Sequence, residues 1–258
     1  MSNAIITGIR HDAFGQPVGF VLPQWTPPPL PPRAVLSGRY CRVEPLDVAR
    51  HADDFYAANQ LEPDQRGWTY LTYGPFATMD DCRRWAGQAA QREDSLFHAI
   101  VDLRSGKAAG IAAYLRMDTT NGSIEIGSIK YTPLIAQQPA ATEAMHLLMA
   151  NAFALGYRRC EWKCDALNAP SRSAAQRLGF SFEGIFRQAV VYKGRNRDTA
   201  WYSVIDTEWP ALCDAHRRWL APENFDAHSD IHSDTQSETR GRQRVRLSEL
   251  TAPLLHQR

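Results

Sequence analysis

The sequence has almost no net charge, no long apolar run and no paired cysteine motif, and each absence removes a class of function. With 29 Lys+Arg against 28 Asp+Glu, the formal net charge is +1. No basic field gathers polyanions, so neither nucleic acid nor a membrane is expected as a partner. No stretch approaches the roughly 20 apolar residues of a transmembrane helix. The opening residues, MSNAIITGIRHDAFG, lack the apolar segment of a secretory signal, and a cytoplasmic location is the expectation. The cysteines number 5, are scattered and contain no CxxC pair, which suggests neither a disulfide framework nor a metal site. Cys160 and Cys164 fall on one face of an expected strand and read as packing residues.

What is present fits one domain with appendages: 258 residues, 44% of them hydrophobic, can bury a full core. Residues 1–35 contain LPQWTPPPLPP and predict an extended Pro-rich arm lying on its own domain with Trp25 as anchor. Residues 36–222 have globular composition. Residues 223–258 are polar, almost free of large apolar side chains, and are expected to be mostly disordered.

Within the globular zone the periodicity alternates. RYCRVEPL reads as a strand. Asp47 caps a helix carrying Val48, Ala52 and Phe55 on one stripe, and a capping box from Thr78 to Asp81 opens a second helix with Cys82 and Trp85 inward. Residues 95–133 then give three strands turning at Ser105-Gly106 and Asn121-Gly122. A helix with Met145, Leu148, Met149, Ala152 and Phe153 at helical spacing stops at Gly156. A strand, RRCEWKCD, a short helix capped by Asn168 and a long terminal hairpin complete a mixed α/β sheet.

This order and four local signatures resemble the GNAT N-acetyltransferases. The signatures are IEIGSIKYTP (124–133), QQPAATEA (137–144), NAPSRSAAQRLGF (168–180) and RNRDTAWYSVIDTEW (195–209). Within that superfamily the chain looks most like the branch containing the ribosomal-protein N-terminal (alanine/serine) acetyltransferases. The resemblance covers about residues 37–219. It implies an α/β fold with a twisted, mostly antiparallel sheet flanked by helices, whose splayed central strands bind acetyl-CoA as co-substrate.

The same resemblance assigns residues. The strand 123–132 is expected to splay near Pro133, offering backbone at Ile129 and Tyr131 to the pantetheine arm and an amide near Ile129 to the oxyanion. Gln137, Gln138, Ala140, Ala141 and Thr142 would meet the pyrophosphate at the next helix's N-terminus, and Asn168 would orient the pantetheine. The family usually reads Q/R-x-x-G-x-G/A before that helix; here those positions are Ala136, Pro139 and Ala141. Many members use a tyrosine seven residues after the asparagine as general acid, but here it is Ala175. The ribosomal-protein branch is similar in offering serine at the third position, which makes Ser171 the expected acid.

Strand alternation aligns Glu125 with Gly127, Ile129 and Tyr131, making Glu125 the expected base, directly or through water. Trp68, Tyr70 and Tyr73 in RGWTYLTYGPF would line the acceptor pocket. The expected reaction is acetyl transfer to a primary amine by direct attack in a ternary complex. At pH 7, deprotonation costs about 1 kcal/mol for an α-amine and about 4–5 kcal/mol for a lysine, which favours a protein N-terminus or an amino-acid-like small molecule. Two alternatives stay open: detoxification of an antibiotic or polyamine, and a non-catalytic module that binds CoA or peptide. The hairpin and exposed aromatics are compatible with a homodimer.

Overall fold

The computed structural model describes residues 9–225 and 243–255. The rest of the expected arm and tail, residues 1–8, 226–242 and 256–258, lies outside the described residues. In the arm, β1 (Arg10–His11) and β2 (Pro17–Val18) pair as a small separate hairpin. Trp25 then packs on the domain: a Cβ on Gly122 would lie 2.2 Å from its ring, and Arg158 lies over that ring at 5.7 Å. Gly122 is therefore needed both for space and for its φ of 66°.

The domain proper runs β3 (Leu36–Ser37), β4 (Cys41–Pro45), a π-turn at Val48–Ala52, α1 (Asp53–Asn59) and α2 (Met79–Ala90). Next come β5 (Ser95–Asp102), β6 (Lys107–Asp118), β7 (Ser123–Tyr131), α3 (Pro139–Ala154), β8 (Arg159–Asp165) and α4 (Ala169–Arg177). The chain continues through β9 (Ser181–Tyr192), β10 (Arg195–Ile205), α5 (Trp209–Leu220) and α6 (Leu247–Thr251). The strands β3–β10 form one eight-stranded sheet in the order β3-β4-β5-β6-β7-β8-β10-β9. Every neighbouring pair is antiparallel except β7 and β8, which run parallel.

Local chemistry accounts for the early elements. The Asp47 side chain accepts from Arg50 N, and at α2 Thr78 and Asp81 complete a reciprocal capping box. The sheet buries both faces. One face packs Ile124, Ile126, Tyr114 and Tyr202 against α3 and α5; the other packs Phe97, Ile111 and Ala113 against Phe55 of α1 and Cys82 and Ala86 of α2. Among the described residues no helix is long and apolar enough to cross a membrane.

One buried carboxylate pins the two halves together. Glu143 of α3 accepts the backbone N–H groups of Arg39, Tyr40 and Cys41 at 2.7, 2.6 and 2.8 Å. A side chain at Gly38 would strike that carboxylate at 2.3 Å, so the loop into β4 requires glycine there.

Two differences from the sequence reading stand out. Helix α5 was not anticipated, although Trp209, Leu212, Cys213, His216, Trp219 and Leu220 form its buried face at helical spacing. Residues 243–255 were expected within a disordered tail, yet they return to the domain. There Leu247 is buried, and Thr251 Oγ1 donates to Arg177 O at 3.0 Å. A short apolar helix can dock this way because α4 and α5 leave it a partner surface, which sequence composition does not reveal.

Candidate active site

The parallel pair that breaks the antiparallel pattern also makes the opening. β7 and β8 are registered only at Ser123–Arg159, Ile124–Cys160 and Glu125–Glu161. Beyond Glu125 the strands diverge, well before the expected point near Pro133. A groove of about 2140 Å³ fills the gap and continues past the start of α3. A small-ligand site occupies about 300–1,000 Å³; this groove has room for an elongated substrate plus an acceptor.

A bulge reshapes the β7 wall. Tyr131–Gly110 and Lys130–Ile111 pair in register, but Ala113 pairs with Gly127, leaving Ser128 and Ile129 opposite the single residue Ala112. Ser128 takes φ 52°, and its carbonyl accepts from Tyr73 Oη at 2.8 Å. The extra residue reverses the alternation. Glu125, Gly127 and Lys130 face the α1/α2 side, whereas Ile129 and Tyr131 join Ile124 and Ile126 on the α3 side. The expectation that Glu125, Ile129 and Tyr131 share a face is thus corrected, because period 2 holds only where no bulge intervenes.

At the mouth of α3, Ala136, Gln137, Gln138, Pro139, Ala140, Ala141 and Thr142 all border the groove. Gln137 adopts φ 62°, and Gln138 is the N-cap with Pro139 at the first helical turn. Ala140 and Ala141 are buried, and the Ala141 carbonyl accepts from Tyr131 Oη at 3.2 Å. The Thr142 hydroxyl accepts from Arg177 Nη1 at 3.0 Å. Burial pushes the Tyr131 phenol well above the usual range.

On the β8 wall, Asn168 caps α4 by accepting from Ser171 N at 3.2 Å. Ser171 itself plays a different part from the cap. Its Oγ accepts from Trp162 Nε1 at 3.0 Å, and its side chain is hydrogen-bonded to that of Cys164. The oxygen thus accepts from the indole, and the single hydroxyl hydrogen is directed to the Cys164 sulfur, a weak acceptor. Ala175 is fully buried, so a tyrosine there would have no route to the groove without displacing the core.

Glu125 sits in a row of alternating charge running across the sheet. Its Oε2 accepts from Arg116 Nη1 at 2.6 Å and from Lys163 Nζ at 3.1 Å. Lys163 also bonds Glu161 at 2.6 Å and lies over the Trp201 ring at 3.8 Å; Arg159 links Glu161 at 2.7 Å to Glu183. Both ion pairs of Glu125 use one oxygen, which leaves Oε1 outside them.

The aromatic loop divides into wall and foundation. Tyr70 lines the groove and donates from its hydroxyl to Leu167 O at 3.2 Å. Tyr73 lines it too, stacked on Trp85 at 4.4 Å, with its hydroxyl taken by the bulge carbonyl. Trp68 does not line it. Only 4% exposed, it packs edge-on against Phe55, Tyr73 and Phe76 with Lys130 over its ring at 4.8 Å. Its expected contact with substrate is therefore corrected to a core role. The tip of the β9–β10 hairpin holds this loop in place, Lys193 Nζ donating to Trp68 O at 2.8 Å.

Sequence reasoning missed Trp85, Trp162, Lys163 and Arg177, all of which border the groove. The alternation of β8 offered one signal, since Glu161 and Lys163 share a face with the Glu125 register. Arg177 gave none, because its neighbours are distant in sequence.

A family model described as an acetyltransferase (GNAT) domain matches residues 42–181. The chain is similar to the solved GCN5-related N-acetyltransferase from Brucella melitensis, at 49% identity, covering 90% of this chain and 100% of that one, with a TM-score of 0.82. It is similar also to a probable acetyltransferase of the GNAT family from Chromobacterium violaceum ATCC 12472, at 39% identity over 76% and 98% of the two chains, TM-score 0.71. The ribosomal alpha-N-protein acetyltransferase RimL shares the fold at 20% identity over 67% and 94%, TM-score 0.56. No curated protein sequence matches.

Proposed function

The chain belongs to the GNAT acetyltransferase family, and from that premise we propose that it transfers the acetyl group of acetyl-CoA to a primary amine by direct attack in a ternary complex. The observation that carries this reading is the opening beyond Glu125 and Glu161, bordered by the bulge on one strand and by Ser171 on the other side. It offers a thioester unpaired backbone on one wall and a hydroxyl donor on the other.

The chemistry follows from those groups. Glu125 takes the amine's proton on Oε1, directly or through water, while Arg116 and Lys163 fix the carboxylate through Oε2. The nitrogen lone pair forms the new bond to the thioester carbonyl carbon, and the carbonyl electrons move to oxygen, stabilised by an N–H of the bulge near Ile129. Re-forming the carbonyl breaks the carbon–sulfur bond, Ser171 gives its hydroxyl proton to the departing thiolate, and the proton still in excess on the new amide nitrogen passes through water to restore the Ser171 hydroxyl. Holding both reactants in one groove supplies much of the rate, since effective molarities reach about 10⁵–10⁸ M.

For the acceptor we favour an α-amine, of a protein N-terminus or an amino-acid-like small molecule, whose proton is the less costly to remove. The polarised Ser171 and the exposed route along Tyr70 and Tyr73 support turnover over a binding-only module. Free-thiol release from acetyl-CoA, followed over N-terminal peptides, small amines and polyamines, tests the proposal. Acceptor-dependent release with α-amines is expected. Acetyl-CoA binding with no release across the panel would overturn the catalytic reading and leave the binding-only alternative.

A further inference from the structure

The phosphate end of the groove is short of donors within its own loop. Pro139 brings no N–H, residues 136–142 contain no glycine, and Thr142 already accepts from Arg177. The tertiary structure brings two arginines to the same end. Arg177, the last residue of α4, reaches the first turns of α3, where its contact is a hydroxyl. Among the described residues it has no ion-pair partner. Burial pulls its pKa below the ordinary arginine value, as expected for a desolvated cation without a carboxylate.

The second arginine arrives on the C-terminal segment. Asn224 grips Val245 in both directions, accepting from its N–H at 2.8 Å and donating to its carbonyl at 3.2 Å. Trp219 Nε1 donates to Gln243 Oε1 at 2.9 Å, Leu247 is buried, and Thr251 is tied to the backbone of Arg177. These contacts lay residues 243–251 along the groove, with Arg246 and Ser248 in its wall and the Arg246 side chain at the solvent rim.

We propose that Arg177 and Arg246, presented by the end of α4 and by the returning C-terminal segment, bind the phosphates of the CoA substrate. They supply what loop 136–142 lacks. The proposal rests on the acetyl-CoA reading above. Arg177, deep beside Thr142, takes the pyrophosphate; Arg246, at the rim, takes the outer phosphate on the ribose. A planar guanidinium suits either phosphate through paired N–H donors.

The test is calorimetric titration of the full chain with acetyl-CoA, 3′-dephospho-acetyl-CoA and acetyl-pantetheine, the last lacking all the nucleotide phosphates. Arg177→Met is expected to weaken acetyl-CoA about 10–100-fold, the range for a hydrogen bond to a charged group, and to leave acetyl-pantetheine unchanged. Arg246→Met should weaken acetyl-CoA but not the 3′-dephospho form. Arg177→Lys, which keeps the charge, should recover part of the loss and guards against a folding artefact. A chain ending at residue 242 should lose the preference for acetyl-CoA over its 3′-dephospho form. Wild-type affinity for acetyl-CoA in both methionine variants overturns this proposal alone. Failure of the wild-type chain to bind acetyl-CoA overturns the parent reading with it.

Discussion

Lys163 and Arg177 are both cations on the wall of one groove, and the chain treats them in opposite ways. Lys163 is bonded to Glu161 and Glu125 and lies over the Trp201 ring, so its charge is compensated before any ligand arrives. Arg177 has one hydroxyl and, among the described residues, no carboxylate. The acceptor end is thus finished by the protein itself, its tyrosine hydroxyls and lysine already bonded to backbone carbonyls. The end beside Thr142 is the one at which we propose that the phosphates of CoA meet Arg177.

The largest effect belongs to the chemistry between the two ends. Ser171→Ala should lower kcat by about 10²–10⁴-fold, the usual worth of a positioned general acid, with acetyl-CoA affinity retained. Thiol release alongside calorimetry measures both. A drop of less than about threefold, against that range, would remove Ser171 from the reaction.

The next effect strikes the self-completed end. Lys163→Met leaves Glu125 with Arg116 alone and Glu161 with Arg159, and we expect a stability loss of about 3 kcal/mol in urea unfolding, the low end for breaking a buried pair. A loss below about 1 kcal/mol would place this network with exposed ion pairs, and the contrast with Arg177 would collapse.

A smaller effect tests the surroundings of Arg177. His216 donates from Nε2 to Leu178 O at 3.0 Å and packs against His146 and Trp209. Burial, with help from His146 and Arg177, lowers its pKa to about 3. The unfolded chain takes up a proton below about 6.5, its unperturbed value, while the folded chain refuses it down to about 3. Stability should therefore fall as pH drops through that window, by about 1.4 kcal/mol per unit for this residue, and be insensitive to it above. His98, lowered to about 4 by burial, adds a parallel contribution. Replacing His216 with leucine should flatten the stability-against-pH slope between about 6.5 and 4; an unchanged slope would show that His216 is not held neutral.

The smallest expected effect is the most diagnostic. Without ligand, Arg177→Met should cause no loss of stability, because a desolvated cation without a carboxylate costs the fold free energy and an apolar side chain removes that cost. A loss matching that of Lys163→Met would make Arg177 a structural residue. The thermal shift produced by added acetyl-CoA should shrink in the same variant.

Much of the architecture was legible because local rules wrote it. Asp47, Thr78 and Asn168 cap their helices, Gly106 and Gly122 take the left-handed turns, and the order of strands and helices follows the periodicity. The site was legible in part. Ser171, Asn168, Tyr70 and Tyr73 border the groove, while Trp68 was misplaced because an aromatic loop residue can face either way and only packing decides. The bulge at Ser128 left no signature, since one extra residue in a strand changes pairing without changing composition.

The sequence by itself determined the order of elements from β4 to β10, the helix starts and turns among them, and through its short motifs the acetyltransferase family. These depend on contacts within a few residues, and nearest neighbours dictate them. Tertiary structure alone decided where β7 leaves β8, which way Ile129 and Tyr131 face, that Lys163 meets two carboxylates, and that residues 243–251 return beside Arg177. The return of the C-terminal segment depends on groups far apart in sequence, Thr142 with Arg177 at 35 residues and Arg177 with Thr251 at 74. No local preference encodes such pairings; they exist because both faces of the sheet had to be covered, and covering them left a groove in which, among the described residues, Arg177 has no carboxylate partner.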